Sequence, residues 1–174
     1  MRSKVCLYEL LKRVGIEKDQ KVLDFGCGSG TYTIPIARIV GDKGIVYALD
    51  KDVKVLNKLI QRAKSTGLNN IEPIHTHGEL RINLDDNSID AVLLFDVLHL
   101  YYFPQADNRR KLLNEIHRIS KAEALILVYP KHMESTAKDE IESANFFFVD
   151  RYSATLIHNN TEVVEGQVLV FTKL

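Results

Sequence analysis

Short apolar runs alternate with amphipathic helical segments along the chain, and this alternation restricts the fold more than any other feature of the sequence. Five apolar runs are predicted strands: residues 21–25, 44–49, 71–75, 90–95 and 124–129. Helical periodicity is found in residues 31–40, 50–64, 108–120 and 134–144. Strands alternating with helices indicate βαβ units and a mostly parallel sheet with helices on both faces. Two last β-rich runs, residues 146–158 and 163–173, have no helix-length segment between them and are predicted to pair antiparallel. The prediction is a doubly wound α/β fold, a seven-stranded sheet ending in an antiparallel hairpin.

The composition restricts the class of protein. The chain has 174 residues without an evident linker or repeat, so residues 1–174 are predicted to form a single domain. Its 23 basic and 23 acidic residues cancel, and a neutral chain lacks the broad positive field that drives non-specific nucleic-acid binding. No apolar run reaches the ~18 residues of a membrane span, and Cys6 and Cys27 form no CxxC pair. We expect a soluble, cytoplasmic protein with neither a disulfide framework nor a cysteine-built zinc site.

A glycine-rich turn follows the first predicted strand. Residues 26–30 read Gly-Cys-Gly-Ser-Gly and precede a predicted helix, an arrangement that lets backbone amides approach a ligand closely. Asp50 ends the second predicted strand, twenty residues after Gly30, where a carboxylate can accept both hydroxyls of a ribose. The turn and Asp50 together predict an adenosine-type ligand across the carboxyl ends of the first two strands.

The spacing of the glycines separates two classes of such ligands. Dinucleotide-binding proteins use GxGxxG, which would require glycine at position 31, where this chain has Thr31. Asp24 comes just before the turn, and its carboxylate would repel a pyrophosphate but attract a cation. S-adenosylmethionine carries adenosine and a positive charge but no phosphate, so it is the predicted cofactor.

These motifs resemble those of the class I S-adenosylmethionine-dependent methyltransferases, which have a Rossmann-like fold. The likeness is greatest to the type 11 group, which includes the ubiquinone- and menaquinone-biosynthesis methyltransferases. The matching segments are residues 22–30, 47–52, 78–80, 86–90 and 114–121. The usual Pro-Gly-Gly before the fifth strand is absent, which weakens the match at that turn alone.

The resemblance implies roles for residues near the first two strands. The methionine end of the cofactor would be held by Asp24 and the turn residues Gly26, Cys27, Gly28 and Gly30. Asp50 would bind the ribose hydroxyls, and the alkyl stem of Lys51 would lie beside the adenine.

Further roles are implied at the ends of the third and fourth strands. Gly78, Glu79 and Leu80 stand where the family usually has Gly-Asp-Ala. Glu79 would accept a hydrogen bond from the adenine amine, and Leu80 would present its backbone to the ring. Phe95 would border the methionine moiety and the transferred methyl group.

The acceptor side carries two candidate catalytic residues. His99 and Asp96 follow the fourth strand, where a methyl acceptor would arrive, and either side chain is a candidate general base. A hydrogen-bonded loop histidine is the alternative interpretation of His99. His75 and His77 would share one face of a strand, but no third ligand stands at a recognisable spacing, so no metal site is predicted.

The predicted function is methyl transfer from S-adenosylmethionine to a small-molecule acceptor. Few residues precede the turn, so the site would be open, and a homodimer or a partner subunit could complete it. Two alternatives stay open. The chain could be a non-catalytic S-adenosylmethionine-binding or scaffold subunit, or a nicotinamide-dinucleotide oxidoreductase, which Thr31 and Asp24 disfavour.

Overall fold

The computed structural model describes residues 7–133, 135–158 and 162–174. Cys6 and the link between the last two strands lie outside these residues. The helices of the described part are α1 (Leu7–Arg13), α2 (Thr33–Val40), α3 (Val53–Ser65), α4 (Ala106–Ile119) and α5 (Ala137–Ser143). Its strands are β1 (Lys21–Phe25), β2 (Ile45–Asp50), β3 (Ile71–His75), β4 (Ile89–Phe95), β5 (Ser120–Tyr129), β6 (Phe146–His158) and β7 (Glu162–Lys173).

These strands form one sheet in the order β3-β2-β1-β4-β5-β7-β6. The pairs from β3 to β5 are parallel, whereas β7 runs antiparallel to both β5 and β6. The predicted α/β fold, a mostly parallel sheet with a C-terminal antiparallel pair, is confirmed. After β3 the chain returns past β1 to β4, so the direction of strand addition reverses between β1 and β4. A reversal of this kind opens a crevice at the carboxyl ends of the strands.

The sheet is buried on both faces. Neighbouring residues of β1 and β4 point to opposite sides, as the period of two along a strand requires. Val22 and Leu93 pack in one cluster with the apolar faces of α1, α2 and α3. Leu23 and Val92 pack in a second cluster with α4 and α5. This double burial explains why β4 reads as a continuous apolar run.

The C-terminal end of β7 is anchored by a buried lysine. The Lys173 ammonium donates to Asn87 Oδ1 at 2.8 Å, to the His117 carbonyl at 2.9 Å and to the Ser120 carbonyl at 2.7 Å. These bonds attach β7 to the junction of α4 and β5. They also hold β7 against β5, and the carboxyl end of β5 reaches the crevice.

None of the described helices is long and apolar enough to cross a membrane.

Lys173→Met should destabilise the fold. The substitution removes three hydrogen bonds from one buried charged donor, so we expect the free energy of unfolding to fall by about 1.5–3 kcal/mol. Urea unfolding followed by circular dichroism measures this loss. Lys111→Met, at an exposed position of α4, is the matched control and should change stability by less than about 0.5 kcal/mol. Equal losses in both variants would contradict the anchoring role of Lys173.

Candidate functional site

The turn after β1 adopts a backbone conformation that glycine favours. Gly26, Gly28 and Gly30 have φ angles of 74°, 51° and 81°. A Cβ atom at Gly30 would lie 2.2 Å from Leu59 Cδ1 on α3, and one at Gly26 would lie 2.8 Å from Val97 Cγ2. The turn therefore needs glycine for its dihedral angles and for its close packing, and it lies at the crevice between β1 and β4.

The carboxylate of Asp50 attaches this turn to the end of β2. Its Oδ2 accepts the Gly28 amide at 2.9 Å, and its Oδ1 accepts the Asp52 amide at 3.0 Å. Each carboxylate oxygen has two acceptor positions, so each retains one for a further donor. Asp50 is half-buried, and its remaining capacity fits a pair of neighbouring hydroxyls.

Asp24 lies buried beneath the turn, with 4% of its surface exposed. Its Oδ2 accepts a hydrogen bond from the Thr33 hydroxyl at 2.6 Å. Burial raises the pKa of the Asp24 carboxyl to about 6, the Thr33 bond opposes this rise, and the nearby Asp50 charge adds to it. Among the described residues, no lysine, arginine or histidine forms an ion pair with Asp24. The carboxylate is therefore costly as it stands, and a positive ligand group would stabilise it.

Cys27 lies in the turn as a buried neutral thiol. Burial is the main cause that raises the pKa of this thiol above its ordinary value, and the charges of Asp24 and Asp50 raise it further. A thiol held protonated in this way is a poor nucleophile. A buried, protonated thiol suits a residue that fills space in the turn.

The end of β3 lies beside the end of β2. The Thr76 amide donates to the Asp50 carbonyl at 3.1 Å, and His75 Nε2 lies 3.1 Å from the Lys51 carbonyl oxygen. Glu79 accepts the amide of His77 at 2.7 Å. Hydrogen bonds from its own amide and from that of His77 lower the pKa of the Glu79 carboxyl.

Gly78 and Leu80, both predicted cofactor-binding residues, flank Glu79. A third, Lys51, directly follows β2. Gly78 has a φ angle of 98°. Leu80 is half-buried and packs against the core cluster of α4 and α5. The Lys51 ammonium lies 5.7 Å from the centre of the Tyr102 ring. Loop residues after β4 therefore approach the end of β2.

Aromatic side chains pack together behind the other side of the crevice, at the carboxyl ends of β4 and β5. The Phe95 ring meets Tyr32 edge to face, with ring centres 4.8 Å apart, and lies 6.5 Å from the ring centre of Tyr129. The Tyr32 hydroxyl accepts the Ile157 amide at 3.0 Å and donates to the Ile157 carbonyl at 3.2 Å. Tyr32 thus connects the glycine-rich turn to β6, and Phe95 lies between the two tyrosines.

A polar cluster follows the ends of β4 and β5. Asp96 has a φ angle of 56°, and its amide donates to the Tyr129 carbonyl at 3.0 Å. Asp96 Oδ1 lies 3.8 Å from His132 Nε2, and the rings of His99 and His132 have centres 4.2 Å apart. His99 Nδ1 accepts the Tyr101 amide at 2.8 Å. We call Asp96, His99 and His132 the DHH cluster.

The structure brings most of the predicted site residues to one edge of the sheet. Asp24, the glycine-rich turn and Asp50 are connected to one another, and the residues from 75 to 80 lie beside Asp50. Three residues of the site were missed by sequence reasoning: Tyr32, Tyr129 and His132. The order of the strands gives the signal for the last two, because β5 lies next to β4 and ends at the same edge.

Comparisons with known proteins identify the family of the chain. The family described as "Methyltransferase domain" matches residues 16–166. Demethylmenaquinone methyltransferase of Geobacillus stearothermophilus is 32% identical over 113 residues, which are 65% of this chain and 46% of that protein. The chain therefore spans about half the length of that relative.

Solved structures share the fold. A SAM-dependent methyltransferase from Aquifex aeolicus superposes with a TM-score of 0.74 at 22% identity, over 94% of this chain and 88% of that one. The [4+2]-cyclase SpnF superposes with a TM-score of 0.76 at 14% identity, over 96% and 80%. A protein named for a different reaction thus has this fold, so the fold alone does not determine the chemistry.

The family match spans most of the chain, including both acidic residues and the whole glycine-rich turn. The chain belongs to the methyltransferase domain family, which confirms the S-adenosylmethionine-dependent methyltransferase family predicted from its sequence.

Proposed function

We propose that the chain binds S-adenosylmethionine at the carboxyl ends of β1 and β2 and transfers its methyl group to a small-molecule acceptor. One observation carries the proposal. Two carboxylates, buried Asp24 and half-buried Asp50, flank a turn of positive-φ glycines, and no described cationic side chain neutralises Asp24. An anionic site favours a cationic adenosine ligand over a pyrophosphate, so it also disfavours a nicotinamide dinucleotide.

The adenosine half of the ligand fits the edge formed by β2 and β3. Asp50 keeps one acceptor position on each oxygen, which suits the two ribose hydroxyls. Glu79 holds an ionised carboxylate beyond β3 and suits the exocyclic amine of adenine. The backbone of Gly78 and Leu80 would border the base, and the stem of Lys51 would lie along it.

The methionine half fits the turn and Asp24. An ammonium group near Asp24 would offset the desolvation of the buried carboxylate. The amides of Gly26, Cys27, Gly28 and Gly30 belong to the turn that would surround this end. All four amides already donate within the protein: those of Gly26 and Cys27 to the Leu49 carbonyl at 2.8 and 3.0 Å, that of Gly28 to Asp50 Oδ2 at 2.9 Å and that of Gly30 to the Cys27 carbonyl at 2.9 Å. The turn would therefore enclose this end of the ligand mainly by its shape.

The chemistry requires alignment more than acid–base catalysis. S-adenosylmethionine supplies an electrophilic methyl group on a sulfonium that leaves readily as a neutral thioether. Phe95, Tyr32 and Tyr129 would exclude water from the reacting atoms, and holding both reactants in line supplies much of the rate enhancement. We place the acceptor beside Asp96 and His99, the two residues proposed to orient it.

A small molecule is the acceptor that this side of the crevice favours. The exposed rings of Tyr101 and Tyr102 follow β4 on this side, and planar apolar acceptors pack well on such rings. The relative in Geobacillus stearothermophilus is named for a quinone precursor, which supports a small cyclic acceptor. The sequence has no net charge, and this disfavours a large nucleic acid.

Calorimetric titration with S-adenosylhomocysteine, 5′-methylthioadenosine and NAD tests the cofactor assignment. The first two share adenosine and a thioether, but methylthioadenosine lacks the amino-acid end. Asp50→Asn should weaken both at least about tenfold, because a charge-assisted hydrogen bond is worth about 1.5–3 kcal/mol. Asp24→Asn should weaken only S-adenosylhomocysteine. The exposed Asp42→Asn is the matched control. Binding of NAD alone, or unchanged affinity in Asp50→Asn, would overturn the assignment.

Asp24→Asn should also change how stability depends on pH. The native pKa of about 6 exceeds the ordinary 3.8, so the native state holds this proton more tightly than the unfolded state. Asp24 therefore favours folding below about pH 4, and this contribution is lost as pH rises through 6. At pH 7 the variant should be more stable than wild type by about 2–3 kcal/mol.

Urea unfolding at pH 4, 5, 6 and 7 measures this difference, with Asp42→Asn as the control. The difference between Asp24→Asn and wild type should grow across the series. A difference that stays constant with pH would show that the buried Asp24 carboxylate does not lower the free energy of unfolding of the ligand-free protein.

A further inference from the structure

We propose that the DHH cluster is a binding site for a divalent transition-metal ion of the zinc and ferrous class. Asp96, His99 and His132 each offer one ligand atom, and these three atoms lie within 4.8 Å of one another. Two imidazole nitrogens and one carboxylate oxygen are the ligand set of open zinc and non-haem iron sites. Metal binding at this cluster does not depend on the proposed function. What the metal would do to the acceptor does rest on the proposed function.

The backbone holds the ligands at the ends of adjacent strands. Asp96 directly follows β4, and its left-handed conformation is supported by the hydrogen bond from its amide to the Tyr129 carbonyl at 3.0 Å. Tyr129 ends β5, and His132 lies three residues beyond it. Residues held in sparsely populated conformations concentrate at functional sites. Two neighbouring strand ends thus bring Asp96 and His132 together, although 36 positions separate them in the sequence.

The distances require only a small closure. Metal–ligand bonds of about 2.0–2.2 Å place the ligand atoms of a tetrahedral site about 3.3 Å apart. The Asp96 and His132 atoms are already 3.8 Å apart. The His132 side chain is 42% exposed, so it can rotate towards the other two ligands without disturbing the core.

The cluster contains more than a simple ion pair. A carboxylate beside one imidazole describes Asp96 and His132, and the His99 ring adds a second imidazole, its centre 4.2 Å from that of the His132 ring. Two imidazoles and a carboxylate in one cluster supply the three protein ligands of an open metal site.

The existing hydrogen bond of His99 provides a specific signature. Its Nδ1 accepts the Tyr101 amide, so the proton of the neutral ring lies on Nε2. A metal at Nδ1 displaces this amide, and a metal at Nε2 moves the proton to Nδ1, which ends the same bond. Metal binding therefore releases the Tyr101 amide at either nitrogen. Tyr101 is 80% exposed, so water can replace the lost partner.

The position of the cluster suggests what the metal would do. It lies beyond Phe95 and Tyr129, on the side where we place the acceptor. An ion held by three protein ligands keeps open positions and lowers the pKa of a hydroxyl bound there. The acceptor class would then be a molecule that coordinates through an ionisable oxygen.

Titration of the metal-stripped, tag-free protein with Co²⁺ tests the site. The visible d–d absorption of Co²⁺ should rise to one equivalent and be displaced by Zn²⁺ but not by Mg²⁺, which prefers oxygen ligands. His132→Ala and Asp96→Asn should each weaken Co²⁺ binding at least about tenfold. Acetohydroxamate, a bidentate oxygen ligand, should shift the wild-type absorption if open positions remain.

The His75→Ala/His77→Ala double variant is the matched control. It removes the other close pair of histidine rings, whose centres are 4.4 Å apart, and should bind Co²⁺ like wild type. Nitrogen–proton correlation spectra should show the Tyr101 amide moving on metal addition. The proposal is overturned if no Co²⁺ binds, if His132→Ala and Asp96→Asn bind it normally, or if only the double variant loses it. None of these readings requires S-adenosylmethionine, so failure here leaves the proposed function standing, with Asp96 and His99 acting directly on the acceptor.

Discussion

The reversal of strand order between β1 and β4 determines where this protein can hold a ligand. The parallel pairing of β1 with both β2 and β4 places all three carboxyl ends at one edge. The helices before β3 pack on one face of the sheet and α4 packs on the other, so the segments that leave β1 and β4 diverge and open a crevice. Both acidic residues, the glycine-rich turn and the DHH cluster lie along that edge. Any change that slipped the pairing of β1 would move Asp24 out of its buried position.

Backbone hydrogen bonds hold most of the half of the crevice that we propose for the cofactor. The Leu49 carbonyl receives the amides of Gly26 and Cys27, and the Asp50 carboxylate receives the amide of Gly28. The turn is therefore fixed before any ligand arrives, which reduces the entropy lost on binding. Asp24 works in the opposite direction, since its burial costs stability in the absence of a cation. Proteins often keep a destabilising group at a rigid binding site, because function there requires it at the expense of stability.

Much of the fold could be predicted because its local signals are strong. The predicted bounds of β1, β3 and β6 agree with the structure. Other elements begin at residues different from those predicted, and the structure shows the reason for two of these differences. Helix α3 begins at Val53 and not at residue 50, because the Asp52 side chain caps it by accepting the amides of Lys54 and Val55. Strand β5 begins at Ser120 and not at residue 124, because Ser120 pairs with Ile89 beyond an irregularity in the ladder.

The two halves of the site differ in how far a sequence can predict them. The side proposed for the cofactor depends on the spacing of glycines and on acidic residues at strand ends. Both are local patterns that can be recognised in the sequence. The acceptor side depends on which strand ends become neighbours, and a histidine after β5 has no visible relation to an aspartate after β4 until the order of strands is known. It also consists of side chains in loops, which vary without disturbing the sheet. A family with one cofactor can therefore serve many acceptors. We therefore expect the chemistry specific to this chain at Asp96, His99 and His132, and not at the glycine-rich turn.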